Sequence, residues 1–149
     1  MRIRRRISIE APAELVWDVI VDLRRAREWA PGCDDYPFIS ADWPKQGATA
    51  TWRYHAGPAH LDFHLSLTES IRGKALQIVN RSLFGEGLEV YSFAMAGATT
   101  TVWYDVSDQP NWLGRLAAPL FEKKMVQLID RTIASLKVYC ENRVKLGQK

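Results

Sequence analysis

Residues 7–23, ISIEAPAELVWDVIVDL, pass from a short apolar strand into a helix opened by proline. Pro12 suits a first helical position, because its missing N–H would be unpaired there anyway. Glu14 places a negative charge where the helix dipole favours one. Leu15, Val16, Val19, Ile20 and Leu23 follow at helical spacing. Asp22 is positioned to cap a second short helix carrying Ala26 and Trp29, which Pro31-Gly32 ends. The chain closes on a much longer helix, from about Pro110 to Asn142, and only strand-like segments lie between. A helix that long has to lay its apolar stripe on something broad, and a sheet is the one candidate. The expected fold is α+β: a seven-stranded antiparallel sheet wrapped around a long C-terminal helix, with two short helices after the first strand. Such an arrangement commonly encloses a cavity, so the first expectation is a container for a small apolar molecule.

With 149 residues, 47% hydrophobic and 25% charged, one globular domain over 1–149 is expected. No run approaches the roughly 18 apolar residues of a membrane span, so stable membrane insertion is not expected. The basic N-terminus lacks the apolar stretch of a secretory signal. Cys33 and Cys140 do not make a disulfide framework, and a reduced, cytoplasmic setting is expected. Arg2, Arg4, Arg5 and Arg6 form one basic cluster and Arg24, Arg25 and Arg27 another, yet the net charge is only +3. Neither cluster has the interleaved aromatics or glycines of a nucleic-acid surface, so no nucleic-acid partner is expected.

Between Tyr36 and Val106 the periodicity changes to two. Strands are predicted over 36–42, 48–56, 60–70, 75–82, 87–95 and 99–107, after a first edge strand over 3–10. Breaks fall at Pro44-Lys-Gln-Gly47, Gly57-Pro58, Arg72-Gly73, Phe84-Gly85-Glu-Gly87 and Ala96-Gly97, and the short connections imply antiparallel hairpins in a meander-like sheet. Leu61, Phe63, Leu65 and Leu67 alternate with His60, Asp62, His64 and Ser66, so the apolar set should face inward. Ala50, Trp52, Tyr54, Leu76, Ile78, Val102, Tyr104 and Val106 join that face. On 87–95 the inward set is Tyr91, Phe93 and Met95, although Leu88 and Val90 blur the choice.

On the last helix Phe121, Met125, Leu128, Ile129, Thr132, Leu136 and Tyr139 share one face, with Lys123, Gln127, Asp130, Lys137 and Glu141 opposite. Pro119 predicts a kink or break near Ala117–Ala118, which would set Trp112, Leu113 and Leu116 apart as a lid-like turn.

The segment APAELVWDVIVD over 11–22, followed by this order of elements, resembles the START/Bet v1-like (SRPBCC) superfamily, and most of all its polyketide cyclase/dehydrase-like members. Gly97-Ala98-Thr99 stands where that family has a turn before its last strand. The resemblance runs from about Ile7 to Arg143. It implies a helix-grip fold that binds lipids, quinones, polyketides or similar molecules between sheet and helix. It also implies a candidate catalytic residue, Tyr36, which lies seven residues after Trp29 as a functional tyrosine does in the cyclases. The arginine that those enzymes carry on the fourth strand falls near Leu67 here, which weakens the enzymatic reading.

The candidate ligand-binding residues are Trp52, Tyr54, Phe63, Leu65, Leu67, Ile78, Tyr91, Phe93, Tyr104, Phe121, Met125 and Leu128, with Phe84 and Gly85 at the cavity mouth. Aromatic walls with a few hydroxyl groups suit a neutral hydrophobic ligand, because an unpaired buried charge is costly. Polar candidates for proton transfer on the inward face reduce to Tyr36, Tyr54, Tyr91, Tyr104 and, less clearly, Glu89, with Asn80 as a further polar group. The array His60-x-Asp62-x-His64 has metal-like composition, but its outer residues would be about 13 Å apart on a strand. It reads as an exposed polar face, so no metal and no cofactor are expected. Cys33 reads as a bystander in a turn. The leading expectation is binding of a hydrophobic small molecule. Alternatives are an aromatase/cyclase-type enzyme and a module that docks a protein partner through the arginine-rich first strand.

Overall fold

In a computed structural model, residues 1–147 are described. Strand β1 (Arg2–Ile9) leads into helix α1 (Ala13–Val21) and a 3-10 helix over Leu23–Glu28. Strands β2 (Phe38–Ile39), β3 (Thr49–Ala56), β4 (Ala59–Ile71), β5 (Ala75–Ser82), β6 (Gly85–Ala96) and β7 (Thr99–Pro110) precede helix α2 (Trp112–Lys145). All neighbouring strands pair antiparallel in the order β1-β7-β6-β5-β4-β3-β2. The meander thus runs from β2 to β7, and β1 joins its far end as an edge strand.

Helix α1 buries nearly its whole length, from Ala13 through Leu15, Val16 and Trp17 to Val21. It shares the main core with Ile9, Leu67, Leu76, Phe93, Leu136 and Cys140. A smaller core gathers Ile3, Tyr104, Val106 and Ile129, and Tyr91 touches both. Helix α2 therefore lies over the β1–β7 side of the sheet and against α1.

Several local expectations need correction. The strand expected over 36–42 shrinks to Phe38–Ile39, because the chain turns directly afterwards. There the Trp43 N–H donates to the Ser40 carbonyl and Lys45 N–H to that of Asp42, while Pro37 has no N–H to offer a ladder. Gly85-Glu-Gly87 is not a turn but the start of β6; the reversal falls at Leu83-Phe84. Pro12 stands at the N-cap, one place before the expected position, and Asp22 precedes the 3-10 helix without a side-chain cap bond. The helix does not break at Pro119. That residue lies on the exposed side of an unbroken α2, where water can serve the carbonyl that its missing N–H leaves free. Trp112, Leu113 and Leu116 are thus the first turns of α2 rather than a separate lid. Met95, expected inward, is half exposed at the end of β6.

The polar side of α2 also does more than face water. Arg5 on β1 donates to Asp130, Lys137 Nζ donates to the Ser8 carbonyl at 2.7 Å, and Glu141 accepts from the Glu10 N–H at 3.1 Å. These contacts fasten the helix to the edge strand, using positions read from the sequence as solvent-facing.

Candidate ligand-binding site

Residues paired across neighbouring strands share a face, so the ladder register defines the inner surface row by row. Trp52 pairs with Phe63 and their rings stack at 4.8 Å, with Tyr54 edge-on to Trp52 at 5.8 Å. Tyr91 pairs with Tyr104, centroids 4.5 Å apart, and stacks on Phe93 at 6.4 Å. Leu65, Leu67, Ile78 and Phe93 are buried on the same surface. The nine predicted sheet residues of the site are thus brought to one face.

The helical members are divided. Met125 packs on the small core that holds Tyr104, and Leu128 comes within 3.8 Å of where a side chain at Gly32 would begin, next to Tyr54. Phe121 is 42% exposed and meets the Phe84 ring at 5.7 Å instead of the sheet. Phe84 and Gly85 are held firmly. The Phe84 carbonyl accepts from the Asn111 N–H at 3.0 Å, and Asn111 Nδ2 donates to the Leu83 carbonyl at 2.9 Å. Asn111 also caps α2 by accepting from the Gly114 N–H at 2.9 Å. Gly114 is obligatory here, since a Cβ would run into the Phe84 carbonyl oxygen. A side chain at Gly85, whose φ is +131°, would come within 2.5 Å of the Gln109 carbonyl.

One row holds an anomaly. Leu67, Ile78, Glu89, Val106 and Ile3 follow one another across β4, β5, β6, β7 and β1. Four are buried apolar residues, and Glu89, itself half-buried, stands between them. Burial pushes its pKa up to about 7, opposed by hydrogen bonding from the Tyr104 hydroxyl and reinforced by the charge of Asp108. No ion pair among the described residues includes Glu89. Burial, and then the field of this carboxyl, also hold the phenols of Tyr91 and Tyr104 in the neutral form.

Tyr36 reaches the same neighbourhood from the loop before β2. It packs on the main core beside Cys33 and feels Glu89 and Tyr91; burial first, then these neighbours, push its pKa up. Burial likewise raises the Cys33 thiol to about 12, which favours its neutral form. Tyr36 and Cys33 also line an outer cleft of about 340 Å³, together with Arg24, Arg27, Asp34 and Asp35. A second open groove, about 430 Å³, runs between Trp29 and the Ala134–Asn142 stretch of α2. The inner aromatic face lines neither cleft; its rings are packed on one another.

Sequence reasoning named Glu89 only as a borderline inward residue. The signal was present, since stepping back in twos from Phe93 gives Tyr91, Glu89 and Gly87. Leu88 and Val90 concealed it by making both faces of β6 apolar. At Gly87 the missing side chain leaves room for Asn80 and Asp108, whose side-chain atoms lie within 3.0 Å of where a Cβ would stand.

The histidine array is a surface feature. Asp62 is taken by Arg53 at 2.8 Å, His55 meets Asp35 at 2.7 Å, and His64 meets the Thr51 hydroxyl at 3.3 Å. No group of side chains suited to a metal occurs among the described residues. The arginines are also largely committed: Arg2 and Arg4 to Asp105, Arg5 to Asp130, Arg25 to Glu28. No helix of the described residues is long and apolar enough to cross a membrane.

A seven-stranded antiparallel sheet gripping a long C-terminal helix defines the helix-grip, START/Bet v1-like class. A family model described as polyketide cyclase/dehydrase and lipid transport matches residues 1–141, so the chain belongs to that family. Among solved structures, a protein from Chromobacterium violaceum superposes with a TM-score of 0.75 at 14% identity, covering 94% of this chain and 96% of that one. Zhui aromatase/cyclase from Streptomyces sp. R1128 gives 0.72 at 12% identity, covering 97% and 95%. A START superfamily protein from Mycobacterium smegmatis gives 0.71 at 10%, covering 95% and 97%. At such identities these likenesses establish the fold alone. No curated protein matches the sequence.

Proposed function

We propose that this protein binds a hydrophobic small molecule between the inner face of its sheet and helix α2. The observation that carries this reading is the convergence of Trp52, Tyr54, Phe63, Tyr91, Phe93 and Tyr104, from four strands, on one face that α2 only partly covers. Aromatic walls with a few polar tips are the usual lining of small-molecule sites. The lipid-transport element of the family description agrees with this use of the fold. Because the rings pack on one another, the ligand has to part them or displace α2 from above them. Native mass spectrometry of gently purified protein, followed by organic extraction, should find an apolar adduct in roughly stoichiometric amount. Bare protein that also fails to bind a panel of apolar probes would refute the proposal.

A second reading, chemistry of the aromatase/cyclase type, is favoured by one observation. Glu89, with a pKa near 7, is suited to move a proton at neutral pH and lies in the electrostatic reach of Tyr36. On this reading Tyr36→Phe lowers turnover of a polyketide substrate while leaving its binding intact. Equal turnover by the variant removes Tyr36 from the chemistry.

A further inference from the structure

The row Leu67, Ile78, Glu89, Val106, Ile3 is apolar except at its centre. An isolated carboxyl there has to be desolvated, and nothing cationic among the described residues compensates it. Tyr91 lies two places along β6, Tyr104 and Asp108 come from β7, and Tyr36 and Cys33 from the loop before β2. Ile78 faces it from β5, and Ile129 of α2 shares one small core with Tyr104, against which Met125 packs. These polar neighbours are thus neutral or negative, while the N-terminal amine lies by Asp108, and Arg5, which shares the face through Tyr104, is engaged by Asp130. Such a setting repels a second anion and offers an acceptor to any O–H that reaches it.

We propose that Glu89 sets the ligand class of this cavity: it accepts a hydrogen bond from a hydroxyl at the buried end of an apolar molecule, and it excludes ligands that end in a carboxylate. The inference rests on the cavity-binding reading above and adds the chemistry of the recognised end. It separates hydroxylated apolar compounds from free fatty acids and other apolar acids, two groups that the aromatic walls alone would not distinguish. Tyr104 is the neighbouring donor to the carboxylate, with Tyr91 beside it, while the rings of the inner face take the apolar body.

Three naphthalenes of similar size test this at pH 8, where Glu89 is ionised: 2-naphthol, 2-methoxynaphthalene and 2-naphthoate. The wild-type protein should bind the naphthol about tenfold or more tighter than the ether, consistent with a hydrogen bond to a charged acceptor. The naphthoate should bind weakest of the three. In Glu89→Gln, a near-isosteric change, the naphthol advantage should shrink and naphthoate binding should rise. Equal affinity for naphthol and ether in the wild type, or tighter binding of the naphthoate, overturns selection by Glu89 while leaving an apolar cavity standing. If none of the three binds, the cavity reading and this inference fall together. The wild-type comparison needs no variant, so it decides the matter even if Glu89→Gln folds poorly.

Discussion

The two halves of α2 share one chain direction and a similar supply of apolar residues, but they live in different surroundings. In the C-terminal half Ile129, Leu136 and Cys140 are buried, Lys137 bonds the backbone of β1 and Glu141 that of Glu10 just after it, and the Tyr139 hydroxyl donates to Glu28. In the first half only Gly114 is buried, and Trp112, Leu116 and Leu120 are 76%, 72% and 72% exposed. Apolar content therefore does not decide which part of a helix packs; the presence of a matching surface does. The C-terminal half finds α1 and the β1 edge. The first half is held at its tip by Asn111 and Gly114, then passes beside the aromatic face. The fold is thus secured at one end of α2, and on the proposed reading the other end is where a ligand would enter at little cost to the core.

Breaking the secured end should have the largest effect. Leu136→Ala is expected to cost about 2–5 kcal/mol, as for other fully buried leucines, measured by urea unfolding. Gly114→Ala comes next, at about 1–3 kcal/mol, because the new methyl meets the Phe84 carbonyl oxygen. Hydrogen exchange should show that loss concentrated over residues 111–121, whereas an even loss throughout would mean that the two halves are not separable.

The third effect has a definite pH signature. Glu89 titrates near 7 in the folded protein against an ordinary 4.5, so the folded state holds more protons than the unfolded one between those values. Stability then falls as pH rises from about 4.5 to 7 and levels off above it, by at most roughly 3 kcal/mol from this group. Burial raises the pKa of Asp108 too, which adds in the same direction. Glu89→Gln should therefore be more stable than wild type at pH 8, with the advantage vanishing near pH 4. A variant equally destabilised at both pH values would show that the carboxyl is not desolvated. Smallest of all, Leu116→Ser should change stability by less than about 0.5 kcal/mol. A loss above about 1 kcal/mol would mean that the first half of α2 is packed after all, and the contrast would collapse.

Much of this architecture was legible from residues alone. The alternation over 60–68 gave the face of β4, and every neighbouring strand follows from it through the register. The stripe through Leu136 and Tyr139 gave the buried side of α2. What escaped was set by partners far away in sequence. Lys137 and Glu141 look like solvent residues until β1 is brought beside them. Phe121 looks like core until Phe84 takes it to the rim. Pro119 signals a break only where no water can serve the freed carbonyl. Glu89 was hidden by Leu88 and Val90, because a strand apolar on both faces has no readable period. The sequence placed the aromatic residues on one face of the sheet and left Glu89 undecided.

A ligand bound on the inner aromatic face, under α2, would be caught by saturable photolabelling with an apolar diazirine probe, mapped by peptide mass spectrometry. The account predicts labels on peptides carrying Tyr54, Phe63, Tyr91 and Met125, suppressed by excess 2-naphthol. Labelling confined to the outer Trp112–Leu120 stretch, or unaffected by competitor, would contradict it.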